Sequence, residues 1–189
     1  VSVSPPRTGP SRATVVAAVV LVGLLAVGVV VASRFLPEEP APTTPTTAAP
    51  RTGPIGLVPV DAPESGSTHC AALVAALPSS LASGSATLAK LPVAEPAPVG
   101  AVAWGDRVGD PVILRCGLGK PPELTATAAL REVSGVKWLP VDGSDSQTWF
   151  VVDRPVFVAL TLPKGVGTGP LQTVSEIVGK SLPAQKVQP

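Results

Sequence analysis

The chain has no methionine, no tyrosine and no asparagine, a single histidine and two cysteines, and only 14% charged and 3% aromatic side chains. Each scarcity excludes something. Without asparagine there is no acceptor for an N-linked glycan. A zinc site needs four ligands, and one histidine with two cysteines and scattered carboxylates does not supply a recognisable set. A serine, histidine and acid triad would have to pass through His69, and no G-x-S-x-G elbow is present. The net charge is +1, and residues 64–189 balance ten lysines and arginines against ten aspartates and glutamates. A module that tracks phosphates gains its energy from a basic stripe that releases counterions, so nucleic acid is excluded as a partner. "GLGK" at Gly117–Lys120 has Leu114 where a phosphate loop needs glycine and Pro121 where it needs serine or threonine. No cofactor or metal is expected.

What is abundant is alanine, valine, glycine and proline, a bias in keeping with a GC-rich genome. The strongest signal is "ATVVAAVVLVGLLAVGVVVA", Ala13 to Ala32, twenty residues without a charge. Twenty helical residues at about 1.5 Å each match the roughly 30 Å hydrocarbon layer of a bilayer. Arg7 and Arg12 precede the run, and Arg34 is soon followed by Glu38 and Glu39, which favours a cytoplasmic N-terminus. The alternative is a signal peptide cleaved near Ser33, although its apolar region would be longer than the usual 7 to 15 or so residues. Either way the remainder is exported. Pro37 to Pro63 then holds eight prolines among threonines and alanines, the composition of an extended spacer. The expected organisation is a short cytoplasmic terminus at 1–12, a transmembrane helix or signal-anchor at 13–33, a disordered linker at 34–63 and an extracytoplasmic domain at 64–189.

Within that domain, Cys70, Leu73, Val74 and Leu77 recur at helical spacing, with Ser67 or Thr68 as cap and Pro78 as stop. "AVAWG" (101–105) and "VILRC" (112–116) read as strands joined in a hairpin by "GDRVGDP". "VKWLPV", "TWFVV" and "VFVALTL" follow as an antiparallel meander, their joints being turn chemistry. "GPLQTVSEIVGKSLP" reads as a closing helix with Pro170 at its first position. An antiparallel sheet with two amphipathic helices predicts an α+β fold: a two-layer sandwich of about five strands with an N-terminal and a C-terminal helix, preceded by one transmembrane helix.

The two cysteines follow from this layout. The helical phase turns Cys70 inward, the strand phase turns Cys116 inward, and an exported compartment oxidises thiols. A Cys70–Cys116 disulfide is therefore expected. The competing reading is a Cys70 thiolate activated by His69, but successive helical residues do not face each other.

The runs "AVAWGDRVGDPVILRCGLGKPPEL", "VSGVKWLPV" and "WFVVDRPVFVALTLP", behind an N-terminal apolar segment, resemble an actinobacterial family of membrane-anchored or secreted proteins of unassigned function. The similarity rests on Trp104-Gly105, Leu114 to Gly117, the strand around Trp138, the Arg154 to Pro163 stretch and Cys70. It covers about residues 68–183. It implies an exported envelope protein and assigns no catalytic residue.

The expected function is a membrane-anchored, extracytoplasmic binding or assembly module of the cell envelope, touching the membrane through its N-terminal segment and an envelope protein through its domain. Trp104, Asp106 and Arg115 are the candidate ligand or partner surface. The alternatives are a small envelope hydrolase using the turn aspartates Asp106, Asp110, Asp142 and Asp145, and a secreted binder of a small apolar ligand.

Overall fold

A computed structural model describes residues 50–189, together with Val16 and Val20. Helix α1 (Thr68–Ala76) comes first. Eight strands follow: β1 (Ser80–Ser83), β2 (Ala86–Leu91), β3 (Ala101–Gly105), β4 (Val112–Leu118), β5 (Arg131–Val133), β6 (Val136–Asp142), β7 (Ser146–Val151) and β8 (Phe157–Pro163). Helix α2 (Gly169–Ser181) closes the order. All eight strands form one antiparallel sheet in the order β1-β2-β3-β4-β8-β7-β6-β5. Two four-stranded meanders thus meet at β4 and β8, in the middle of the sheet. Tight turns close the outer hairpin of each meander, β1–β2 and β5–β6. Between β5 and β6, Ser134 and Gly135 both take positive φ, 49° and 73°, as a two-residue turn matched to the strand twist requires.

The expected fold class is corrected here. The sheet has eight strands, not about five, and among the described residues no helix is long and apolar enough to cross a membrane. The expected span at 13–33 lies outside the described residues except at Val16 and Val20. The five strands read from the sequence are β3, β4, β6, β7 and β8, and the hairpin and the three-stranded meander pair as expected. The three additional strands sit at the two edges. Residues 80–91 are mostly Ser, Ala and Gly, poor strand formers by composition, and only Leu81, Leu88 and Leu91 are buried there. Pairing of Leu81 with Leu88 across the hairpin, both in the main core, supplies what local propensity lacks. Strand β5 has three residues, too few for an alternation to be read.

Both helices pack on one face of the sheet. Ser67 caps α1 by accepting from the Cys70 N–H at 3.2 Å, and Cys70, Leu73 and Leu77 point into the core with Trp104, Leu114, Cys116, Trp138 and Leu160. The disulfide joins Cys70 on α1 to Cys116 on β4, with Cα atoms 5.6 Å apart. Helix α2 buries Leu171, Val174 and Val178, and its buried Ser175 accepts from Trp138 Nε1 at 3.0 Å. At the N-terminal end of α2, Gly169 lies against the Ala82 carbonyl of β1, so close that a Cβ there would clash. At the C-terminal end Gly179 lies beside Ser134 and Val136, at the other edge of the sheet. A 13-residue helix is about 20 Å long, whereas eight flat strands would hold their edges about 34 Å apart. The sheet must curl round the helix for both ends to make contact, as a strongly twisted sheet does.

The opposite face is covered by chain without regular structure. A strap, residues 51–63, crosses one half of it. Its Ile55 N–H donates to the Pro92 carbonyl at 2.9 Å and its Ile55 carbonyl accepts from Ala94 at 2.8 Å, while Glu64 N–H donates to the Gly117 carbonyl at 3.0 Å. Gly117 sits at φ 83°, and a Cβ there would fall 2.2 Å from the backbone of Glu64 and Ser65, so the close approach requires glycine. The crossover between β4 and β5 covers the other half, setting Leu124, Ala128 and Leu130 against Leu139, Phe150, Val152 and Phe157. The compact unit runs Ala48–Pro189 and so takes in a strap that the boundary expected at residue 64 leaves outside.

Candidate functional site

The three residues expected to form one surface are placed in three environments. Trp104 is fully buried on the helix-covered face, and its Nε1 donates to the Pro78 carbonyl at 3.0 Å, fastening the chain just after α1. Asp106 is exposed in the β3–β4 turn, where one carboxylate oxygen accepts from the N–H groups of Val108 and Gly109, both at 2.9 Å. Those two bonds hold its carboxyl below the usual carboxylate range, against a small opposing effect of burial. Arg115 lies on the far face of the sheet from Trp104. The register explains the separation: Trp104 pairs with Val112 and Ala101 with Arg115, so the tryptophan and the arginine have opposite parity. His69 has no thiol to activate, because Cys70 is in the disulfide.

Arg115 is the centre of what remains. It is partly buried between Ala101 and Ala159, its partners in register on β3 and β8. One guanidinium nitrogen donates to the Val58 carbonyl of the strap at 2.8 Å. Among the described residues no carboxylate lies within 4.0 Å of it; the two ion pairs there are Arg51 with Asp110 and Arg154 with Asp153. Burial lowers the pKa of its guanidinium from the usual value, yet the group remains a cation at any ordinary pH. A cavity of about 520 Å³ opens beside it, with Ala159, Thr161, Thr148 and Phe150 as floor and Val60 of the strap and Pro121 of the crossover as banks. Leu118 and Val141 complete its apolar wall, while Lys120, Asp61 and Glu123 stand at its rim. The Thr148 and Thr161 hydroxyls bond each other at 3.0 Å. A second cavity of about 480 Å³ continues along the strap past Thr161 and Ile113. Beyond Arg115 the exposed Val58, Val60 and Val99 give the surface an apolar margin.

The alternation of "TWFVV" puts Thr148 and Phe150 on one side of a strand, a signal present in the sequence. Nothing in the sequence brings Val58, Val60 and Lys120 to that side, because the strap and the crossover have no periodicity to read.

The turn aspartates separate into two kinds. Asp106 and Asp142 are engaged locally and line neither cavity, the latter accepting from Gln147 Nε2 at 2.6 Å; Asp145 likewise accepts from Ser144 Oγ at 3.0 Å. Asp110 and Asp145 both line the second cavity. Asp110 pairs there with Arg51 at 3.2 Å with its side chain 69% exposed. Among the described residues no three histidine, cysteine, aspartate or glutamate side chains are grouped as a metal ion would need.

No curated protein and no solved structure gives a significant match to the chain. Residues 14–187 match the family described as protein of unknown function (DUF3515), nearly the whole chain, and the protein belongs to that family.

Proposed function

We propose that the domain is an exported, non-catalytic binding module of an actinobacterial cell envelope, and that its receptor surface is the strap-bordered sheet face around Arg115. The observation that carries the reading is a partly buried guanidinium that has, among the described residues, one protein acceptor and no carboxylate partner, on the wall of a cavity of about 520 Å³. A cavity of that size with few polar groups on an apolar lining is the ordinary form of a small-molecule site. Export is supported by the buried disulfide, which an oxidising compartment maintains, and by the apolar run at 13–32. The source is read from the alanine, valine, glycine and proline bias.

The test is made in intact cells. An impermeant protease is expected to remove the domain, and alkylation before reduction is expected to find neither cysteine free. A protected domain with two reactive thiols would overturn the export. Substituting Arg115 by Gln is expected to abolish retention of envelope extract components while leaving the fold intact, and unchanged retention would overturn the receptor surface.

A second reading, a hydrolase of envelope glycans, is favoured by one observation, the sharing of a cavity by Asp110 and Asp145. Its general acid would need a carboxylic acid kept protonated by burial, and the exposed Asp110, turned onto Arg51, has no such enclosure. Turnover of cell-wall glycan that disappears in both Asp110→Asn and Asp145→Asn would establish it.

A further inference from the structure

Resting on the receptor surface proposed above, we infer that the ligand class is a single-chain acyl carboxylate, with its headgroup on Arg115 and its chain against Leu118, Val141 and Phe150. The charge argument comes first. A guanidinium has five N–H donors, and among the described residues one nitrogen of Arg115 is occupied, through Val58, with no carboxylate to neutralise the group. The remaining fork favours a planar bidentate anion. The shape argument restricts the rest of the molecule. The two cavities meet at Thr161, and their linings on β7 run from Phe150 and Thr148 in the first to Ser146 in the second, four residues or about 14 Å of strand, which accommodates a ligand with an extended body.

The hydrogen-bond argument separates an acyl chain from a peptide of equal length. The backbone groups of β4, β8 and β7 are taken up by their ladders, and the two floor hydroxyls bond each other. The strap offers no continuous edge for an added strand, since Pro54 and Pro59 interrupt its donors. An extended peptide would bring an N–H and a C=O at each residue and leave most of them unpaired, at a cost. A hydrocarbon chain brings none. Lys120 at the rim offsets one of the two rim carboxylates, Asp61 and Glu123, and that balance disfavours ligands with a second anionic group.

The experiment uses the full chain in the cells that produce it, with decanoate carrying a photoactivatable diazirine at the chain end and the corresponding decanol as the neutral probe. The expected result is carboxylate-probe labelling of peptides containing Leu118, Val141 or Phe150, competed by unlabelled decanoate and not by decanol. Arg115→Gln is expected to reduce that labelling about tenfold or more, and Arg115→Lys to keep part of it, both with the disulfide intact and the melting temperature near that of the parent chain. Equal labelling of the groove by both probes, indifferent to Arg115→Gln, would overturn the carboxylate inference while leaving the receptor surface standing. Labelling elsewhere on the chain by both probes, with none in the groove, would overturn both. Displacement of the probe by a neutral hydrophobic peptide but not by decanoate would replace the acyl ligand with a peptide one.

Discussion

Arg154 and Asp153, adjacent in the β7–β8 turn, form an ion pair at 3.0 Å with side chains 3% and 7% exposed. Arg154 also donates to the Asp153 carbonyl and, at 3.0 Å, to the Gly135 carbonyl, so one guanidinium ties the β7–β8 turn to the β5–β6 turn. The pair is incompletely satisfied: among the described residues Asp153 Oδ1 and Arg154 Nε have no partner. Removing one member strands the other charge in the interior, which costs about 3 to 5 kcal/mol, whereas removing both does not. Urea unfolding is therefore expected to show Arg154→Ala destabilised by about that amount and the Asp153→Ala, Arg154→Ala double variant destabilised by less. A double variant weaker than the single one would contradict this account. Asp106 makes a milder and pH-dependent contribution. Its folded pKa lies below the ordinary 3.8, so its bonds to Val108 and Gly109 stabilise the hairpin above that value and are lost as pH falls through the folded pKa. The melting temperature of Asp106→Ala is expected to lie below the parent's at neutral pH, with the gap closing in acid below about pH 3.8; a gap constant with pH would refute it.

Among the elements, the strap has the largest consequence. It contains no helix or named strand, only an isolated bridge from Ile55 to Val93, yet it half-buries Ile55 and Leu57 and supplies the Val58 carbonyl to Arg115. Two partly buried aliphatic side chains account for about 2 kcal/mol of transfer energy. A chain starting at residue 64 is expected to be less stable than one starting at residue 48 by about that much, measured by denaturant midpoint at equal slope; equal stability would make the strap a mere spacer. Its path was hidden from the sequence because prolines and glycines mark irregular chain without saying whether it is docked. The strands were legible in proportion to their burial. Strand β4, alternating from Val112 to Cys116, announces both of its faces, whereas β1 and β2 depend on a hairpin contact between Leu81 and Leu88 that local composition does not announce.

For the whole molecule, the disulfide is the covalent cross-link between the helix layer and the sheet. Its cysteines are 46 residues apart, and closing a loop of that size removes about 4 kcal/mol of denatured-chain entropy, a large share of an ordinary domain's stability. Replacing both cysteines by alanine is expected to lower unfolding free energy by about 4 kcal/mol with the secondary structure retained at low temperature; a loss under about 1 kcal/mol would mean that helix packing alone fixes α1. Both helices, the five strands β3, β4, β6, β7 and β8, and the local order of the β3–β4 hairpin and the β6–β7–β8 meander were legible in the sequence, because each depends on side-chain period, caps and turn residues within a few positions; the cysteine pairing was legible because the chain has two cysteines, both at core-facing positions. The pairing of β8 with β4, the curl of the sheet round α2 and the opposite facing of Trp104 and Arg115 emerge from long-range packing. Those depend on strand register and on contacts between distant segments, so a one-residue difference in register would have put Arg115 among the helices and left the groove without its cation.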